Sequence, residues 1–245
     1  MFVDRTTGYV YGHSLETGIT YQISNTTKPG IYDAYIFNNG KQILMRSLDS
    51  DGQTVLTITA SIPNVKENGN PLPLSAIINL PKNIKSVAVN YLSNKISYLV
   101  ATSSGSSVYT LTNIGVSLVT TSLFSEWNLS YGGDRLYATS KPSAYVEGST
   151  VLLPSFGRII GDKTGLNSNP SPDGTILSSV WSRTGLTSFL FSSQGSIKLL
   201  NIKTIASKCT WGKSSLLLCA VPESIPNVTE GLPDDWYQGR IKFSD

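Results

Sequence analysis

Asp234, Asp235, Trp236 and Tyr237 set two carboxylates beside two aromatic rings in a proline-rich segment, 221–239. Aromatic rings stack on the flat face of a sugar or peptide group while carboxylates take its polar edge, so this quartet is the first candidate contact surface for a ligand or partner. The competing reading is that Trp236 and Tyr237 only anchor the loop. Asp33 and Glu126 form a second candidate set. Together they could hold a cation or polar ligand, and as a pair for glycoside hydrolysis they would need a separation of roughly 5–9.5 Å. Cys209 and Cys219 lie symmetrically about Ser214. In a hairpin they face one another within disulfide reach, and two reduced, buried thiols are the alternative.

Counting removes other chemistries. With one histidine, His13, and two cysteines, four-ligand zinc clusters and His-x-x-x-His metalloprotease sites are excluded, and no metal is expected. A Ser-His-Asp or Cys-His nucleophile would have to use His13, which sits just before a turn and reads as a surface imidazole. Asp49-Ser50-Asp51-Gly52 has the Asp-x-Asp-Gly spacing of a calcium loop. It lacks the third oxygen position, the distant Glu and the flanking helices, so it reads as a hairpin turn. No cofactor is expected. Asn-x-Ser/Thr sequons at Asn25, Asn128 and Asn227 matter only in a eukaryotic secretory pathway.

Of 245 residues, 40% are hydrophobic and only 14% charged, against about 25% charged in an ordinary soluble domain. The 19 Lys and Arg against 16 Asp and Glu leave +3, too little and too dispersed for a nucleic-acid footprint. Ser, Thr, Asn and Gly are plentiful, which implies a neutral, hydroxyl-rich surface. No apolar run approaches the roughly 18 residues of a membrane helix. The opening Met1-Phe2-Val3-Asp4-Arg5 lacks the basic and apolar regions of a signal peptide.

Which elements position these residues follows from short β-branched and aromatic runs separated by Gly, Asn, Asp and Ser turns. One hairpin pattern appears five times, with markers at Gly40, Asn94, Gly133, Gly174 and Gly212 and spacings of 54, 39, 41 and 38 residues. The long interval contains a Pro/Asn/Gly-rich insertion, Ile62 to Pro73, and without it the period is near 40. Each marker is assigned to a turn needing positive φ. Two further turns follow each hairpin, so every repeat has four antiparallel strands, the signature of a β-propeller blade. A sandwich of short strands would not require this register.

The predicted fold class is therefore all-β: a β-propeller with four complete blades, at about 31–80, 84–121, 125–160 and 165–200, and two half blades at 1–24 and 205–245. Residues 8–24 read as the outer strands c and d, and 205–220 as the inner strands a and b. United, the halves would close a five-bladed ring. Trp236 to Phe243 reads as a competing c strand, which favours an open piece of a longer propeller. Propeller geometry gathers the b–c and d–a loops, including 221–239, on the usual binding face. Seven residues before each marker stand Asp33, Val87, Glu126, Asn167 and Ile205, all near the start of strand a.

The tract Asn169-Pro170-Ser171-Pro172-Asp173-Gly174-Thr175-Ile176 resembles the Ser-Pro-Asp-Gly hairpin of WD40-like repeats in TolB-type propellers. The opening Val3 to Tyr11 with Ile23 to Thr27, and the closing Cys219 to Pro222 with Pro233 to Gly239, resemble a group of uncharacterised bacterial propeller proteins. The resemblance implies a fold and not an activity. Members of that group are generally longer, which implies a fragment. The Gly-His and Trp-Asp dipeptides of ordinary WD40 repeats are missing, and Gly174 directly after Asp173 departs from the sialidase Asp-box.

The expected function is a non-catalytic binding or scaffold module for a protein or cell-surface polymer, without nucleic acid and without a membrane span. Asp234, Asp235, Trp236 and Tyr237 would make the contacts. The alternatives are a carbohydrate-active hydrolase or lyase using Asp33 and Glu126, resting on fold analogy, and a purely structural repeat of a larger envelope protein. An extracellular or cell-envelope location is expected from the hydroxyl-rich repeats.

Overall fold

Val, Ile, Thr and Tyr recur beside Ser and Leu in the runs that become strands, because branched and aromatic side chains pack well on a pleated surface. The structure, a computed structural model, describes residues 1–182, 185–212, 216–225, 231–238 and 240. The turn at 183–184, the last hairpin tip at 213–215, the sequon at Asn227 and residues 239 and 241–245 lie outside the described residues.

Short strands β1 (Phe2–Val3), β2 (Val10–His13) and β3 (Thr20–Gln22) form the first sheet. The next holds β4 (Ile31–Phe37), β5 (Gln42–Leu48), β6 (Val55–Ser61) and β7 (Ser75–Asn79). A third holds β8 (Ser86–Val89), β9 (Ile96–Thr102), β10 (Gly105–Thr112) and β11 (Gly115–Ser122), and a fourth β12 (Trp127–Gly132), β13 (Arg135–Ser140), β14 (Glu147–Leu152) and β15 (Gly157–Thr164). A fifth holds β16 (Asn167–Pro170), β17 (Ile176–Ser182), β18 (Gly185–Phe191) and β19 (Ile197–Leu200). After a 3-10 turn at Ala206–Lys208, β20 (Cys209–Trp211) pairs with β21 (Leu217–Cys219), and helix α1 (Asp234–Tyr237) follows. Every four-stranded sheet is antiparallel with its strands in chain order. The chain is all-β, and its sheets are arranged as propeller-like blades.

The core lies between blades. Six buried clusters each join consecutive segments of the chain, from Val10 and Ile23 with Ile43 and Met45, through Phe37 with Val87 and Ile96, to Leu177 with Ala206 and Cys209. Second strands therefore meet another sheet on both faces and lose the in–out alternation of a half-buried strand. In β5, Ile43, Leu44 and Met45 are all 1% exposed or less. Each such side chain contributes about 1.5–3 kcal/mol by leaving water. Outermost β7 is exposed along its whole length.

Composition implied a hydroxyl-rich surface, yet many hydroxyls join blade to blade inside. Ser86 Oγ accepts the Leu129 N–H of the next sheet at 2.8 Å, and Ser179 Oγ accepts the Ala206 N–H of the 3-10 turn before β20 at 3.0 Å. Thr139, Thr150, Ser168 and Ser178 form a continuous hydroxyl chain across two sheets, with links of 3.1, 2.8 and 3.0 Å. Ser and Thr supply these contacts because one small group can both donate and accept.

At the first hairpin, Asn38, Asn39 and Gly40 all take positive φ, at 52°, 53° and 79°. That conformation is why Asn-Asn-Gly stands there. The same explanation fails at Gly212, which is not in that region, and likewise at Asn94. Its turn is a longer loop closed by the Asn90 N–H to the Lys95 carbonyl at 2.9 Å, while Asn94 Nδ2 donates to Asn113 Oδ1. The 62–73 insertion crosses to the first sheet, where Leu72 bridges Ser24 and the Leu74 N–H donates to Thr26 Oγ1 at 2.8 Å.

Two expectations at the ends are corrected. A short inner strand does precede the outer pair: β1 pairs with β2, and Phe2 stacks on Tyr11 at 5.4 Å. Trp236 and Tyr237 are not in a c strand but in helix α1. Asp234 and Asp235 in its first turn complement the helix dipole, and packing described below holds the turn in place.

Candidate functional site

Helix α1 is seated by two of the four residues singled out there. Asp234 Oδ2 accepts the Ala144 N–H at 2.5 Å, tying the helix to the β13–β14 connection. Asp235 pairs with Arg240 at 3.1 Å. Trp236 is half-buried against Trp181, Leu186, Ile205 and Leu232, with Lys208 Nζ 5.6 Å from its ring centre. Tyr237 is 46% exposed. Burial of its hydroxyl end pushes its pKa up, a hydrogen bond from Asn167 opposes this, and the nearby Asp234 charge adds to the rise. Tyr145 and Val146, beside Ala144, are exposed at 78 and 66%. The segment thus divides into anchors, Asp234 and Trp236, and an exposed ring, Tyr237.

The register set does not form one ring of polar groups. Val87 and Ile205 are buried at 7 and 5% exposure. Asp33 and Glu126 are each held by a different cation: Asp33 lies 3.6 Å from Arg46, and Glu126 lies 3.2 Å from Lys141 on the surface. Among the described residues no hydrogen bond or ion pair links the two carboxylates. Asn167, at the same register position, faces Tyr237 instead.

Around Asp33 the structure assembles groups that the spacing argument missed. Tyr35 donates its hydroxyl to Asp33 Oδ2 at 3.1 Å. Arg46, its side chain 11% exposed, donates from Nη2 to the Ile84 carbonyl at 2.6 Å and lies 5.4 Å from the Tyr32 ring centre. Burial, then the Asp33 charge, raises the Tyr35 and Tyr91 pKa values. Arg46 was visible in sequence as the one charge inside the apolar run Ile43 to Leu48. The cluster balances its own charge and ties β4 and β5 to the next sheet, a structural use of a carboxylate.

Cys209 and Cys219 are direct partners across β20 and β21, Cα atoms 4.0 Å apart, and are joined in a disulfide. His13 Nδ1 lies 2.9 Å from Thr20 Oγ1, its cross-strand neighbour, on the surface. The Asp51 carboxylate accepts the Gln53 and Thr54 N–H groups and the Thr54 hydroxyl, and Asp49 faces Lys82 at 3.7 Å. These oxygens are spent on the turn. No helix among the described residues is long and apolar enough to cross a membrane.

No protein-family model and no curated protein matches the sequence. Among solved structures, the chain is similar to a functionally unknown protein from Desulfotomaculum acetoxidans, at 13% identity and a TM-score of 0.46, over 81% of this chain and 63% of that one. It is also similar to a candidate 6-phosphogluconolactonase from Bacteroides uniformis, at 12% identity and 0.45, over 89 and 85%. A virginiamycin B lyase from Staphylococcus aureus follows at 11% identity and 0.42, over 84 and 67%. The chain thus spans less than two thirds of the first of these proteins.

Proposed function

We propose that this chain is a non-catalytic binding or scaffold module that takes a protein or a cell-surface polymer on the surface carrying helix α1. The observation that carries the reading is the seating of that helix: Asp234 and Trp236 are fixed to the blades while Tyr237, Tyr145 and Val146 stay exposed. Exposed aromatic residues on a held backbone lose little conformational entropy when a partner binds. The enzyme alternative has less support, because Asp33 and Glu126 are each paired with a different cation.

Two finer readings accompany it. A WD40-like repeat of the TolB type is supported by the fifth sheet's first hairpin, where Ser171 and Thr175 pair through their backbones at 2.7 Å and Asp173 accepts the Thr175 N–H at 2.9 Å. An extracellular or envelope location is supported by the Cys209–Cys219 disulfide, since such bonds persist in oxidising compartments.

The test is a photo-crosslinking side chain placed at position 237 and, as a control, at position 17 in the turn before β3, in cells producing the protein. Discrete adducts from 237 alone are expected. No adduct at 237, or the same adducts from both positions, overturns the reading. Turnover of aryl glycosides that is lost in both Asp33→Asn and Glu126→Gln would transfer it to the enzyme alternative.

A further inference from the structure

One end of the β8–β11 blade holds a cleft of about 370 Å³, lined by Thr102, Ser104, Ser106, Ser107, Thr121, Ser122 and Leu123. This falls at the lower end of the roughly 300–1,000 Å³ range of small-ligand clefts. Six of its seven lining residues carry hydroxyls and none carries a charge. Such a lining offers no counter-ion to a phosphate or carboxylate and too few apolar walls for a hydrophobic ligand.

The hydroxyls divide into two groups. Ser106 Oγ donates to the Phe124 carbonyl at 2.6 Å, and Ser122 Oγ accepts both the Phe124 N–H at 3.0 Å and Trp127 Nε1–H at 3.1 Å. These bonds fix the segment that follows β11 and with it Leu123, whose side chain is 88% exposed beside the cleft. The side chains of Thr102, Ser104, Ser107 and Thr121 have no hydrogen-bond partner among the described residues. Ser107 is the least exposed of the four, at 8%, and its hydroxyl lines the cleft with no protein partner among the described residues.

Gly105, at φ 142°, turns β9 into β10, and a Cβ there would meet the Ser122 carbonyl oxygen at 2.0 Å. Ser107 and Thr121 are direct cross-strand partners, so their hydroxyls stand side by side on one face of the sheet.

We propose that this cleft binds a neutral carbohydrate. A sugar hydroxyl donates and accepts, as do Ser and Thr hydroxyls, so each hydroxyl in the cleft that lacks a protein partner finds a matching one on a pyranose ring. Leu123 covers the apolar face of that ring. The site is separate from helix α1 and stands or falls independently of the proposed function.

The test is an amide-resolved NMR titration of the whole chain with maltotetraose, cellotetraose and tetra-N-acetylchitotetraose, each to about 10 mM, since sites built on a few neutral hydrogen bonds bind near millimolar. Methyl glucoside run beside them separates recognition of one ring from recognition of a chain. At least one probe is expected to shift the Ser104, Ser107, Thr121 and Leu123 amides. Ser107→Ala and Thr121→Val should each weaken binding about five- to tenfold, with the spectrum elsewhere unchanged. The proposal is overturned if none of the probes moves these amides. It is equally overturned if binding survives in the Ser107→Ala/Thr121→Val double variant, or if the shifts gather on Tyr145 and Tyr237.

Discussion

Asp234 reaches across 90 residues of sequence to accept the Ala144 N–H through Oδ2 at 2.5 Å. A four-residue helix has no stability of its own, so this carboxylate and the packing of Trp236 decide where α1 sits. Asp234→Ala is expected to cost about 1–2 kcal/mol, because the bond is charge-assisted but only part-buried, which at this chain length lowers Tm by roughly 3–6 °C. Hydrogen exchange checks the cause: the Ala144 amide should lose protection while the Leu177 amide in β17 keeps it.

Trp236 and Tyr237 are adjacent, yet their removal should have different consequences. Trp236 packs on Trp181, Leu186, Ile205 and Leu232, so Trp236→Ala is expected to destabilise by about 2–4 kcal/mol, somewhat below the cost for a fully buried ring. Tyr237→Ala should cost less, about 1 kcal/mol, since nearly half of the residue is already in water and its hydroxyl keeps one hydrogen bond, from Asn167. Chemical denaturation of both variants measures the contrast. Equal losses would mean that both rings are anchors and would leave α1 without a recognition surface.

Most of the blade pattern was legible because it is local. Asn38-Asn39-Gly40 announces its turn through the conformation it needs, and β-branched runs between such turns become strands with little tertiary help. Helix α1 was misread as a strand because its aromatic and hydrophobic residues are explained by contacts with β17 and the 3-10 turn, distant in sequence. The pairing of Asp33 with Arg46 does not show in equivalent positions of successive repeats, because the partner stands on the neighbouring strand of the same blade. Hydroxyl roles were equally silent in sequence. Ser86 and Ser107 are both buried serines of one blade, but the first bonds the next blade's backbone and the second faces a cleft.

Arg46 and Asp33 give a double-mutant cycle. Arg46 also donates to the Ile84 carbonyl, so Arg46→Met leaves both that carbonyl and the Asp33 carboxylate without their cation. The expected cost is about 2–4 kcal/mol, below the full penalty for a broken buried pair because Asp33 is 30% exposed. Asp33→Asn should cost less, about 1 kcal/mol, since Tyr35 can still donate to the amide oxygen. In the combined variant the losses should be less than additive, and strict additivity measured by urea unfolding would show that the two residues act independently.

Asp51 supplies the pH prediction. Hydrogen bonds from the Thr54 hydroxyl and from the Thr54 and Gln53 N–H groups lower its pKa from 3.8 to about 2. A carboxylate whose folded pKa is depressed stabilises the fold above its unfolded value and loses that contribution as pH falls through the folded one. The turn between β5 and β6 should therefore be fully formed above pH 4 and loosen only as pH approaches 2. Carbon-detected NMR of the Asp51 carboxyl should place its midpoint near 2, and Thr54→Val should move that midpoint upward by removing the side-chain donor. A midpoint that stays at 3.8 in the parent protein would show that these hydrogen bonds do not hold the turn in solution.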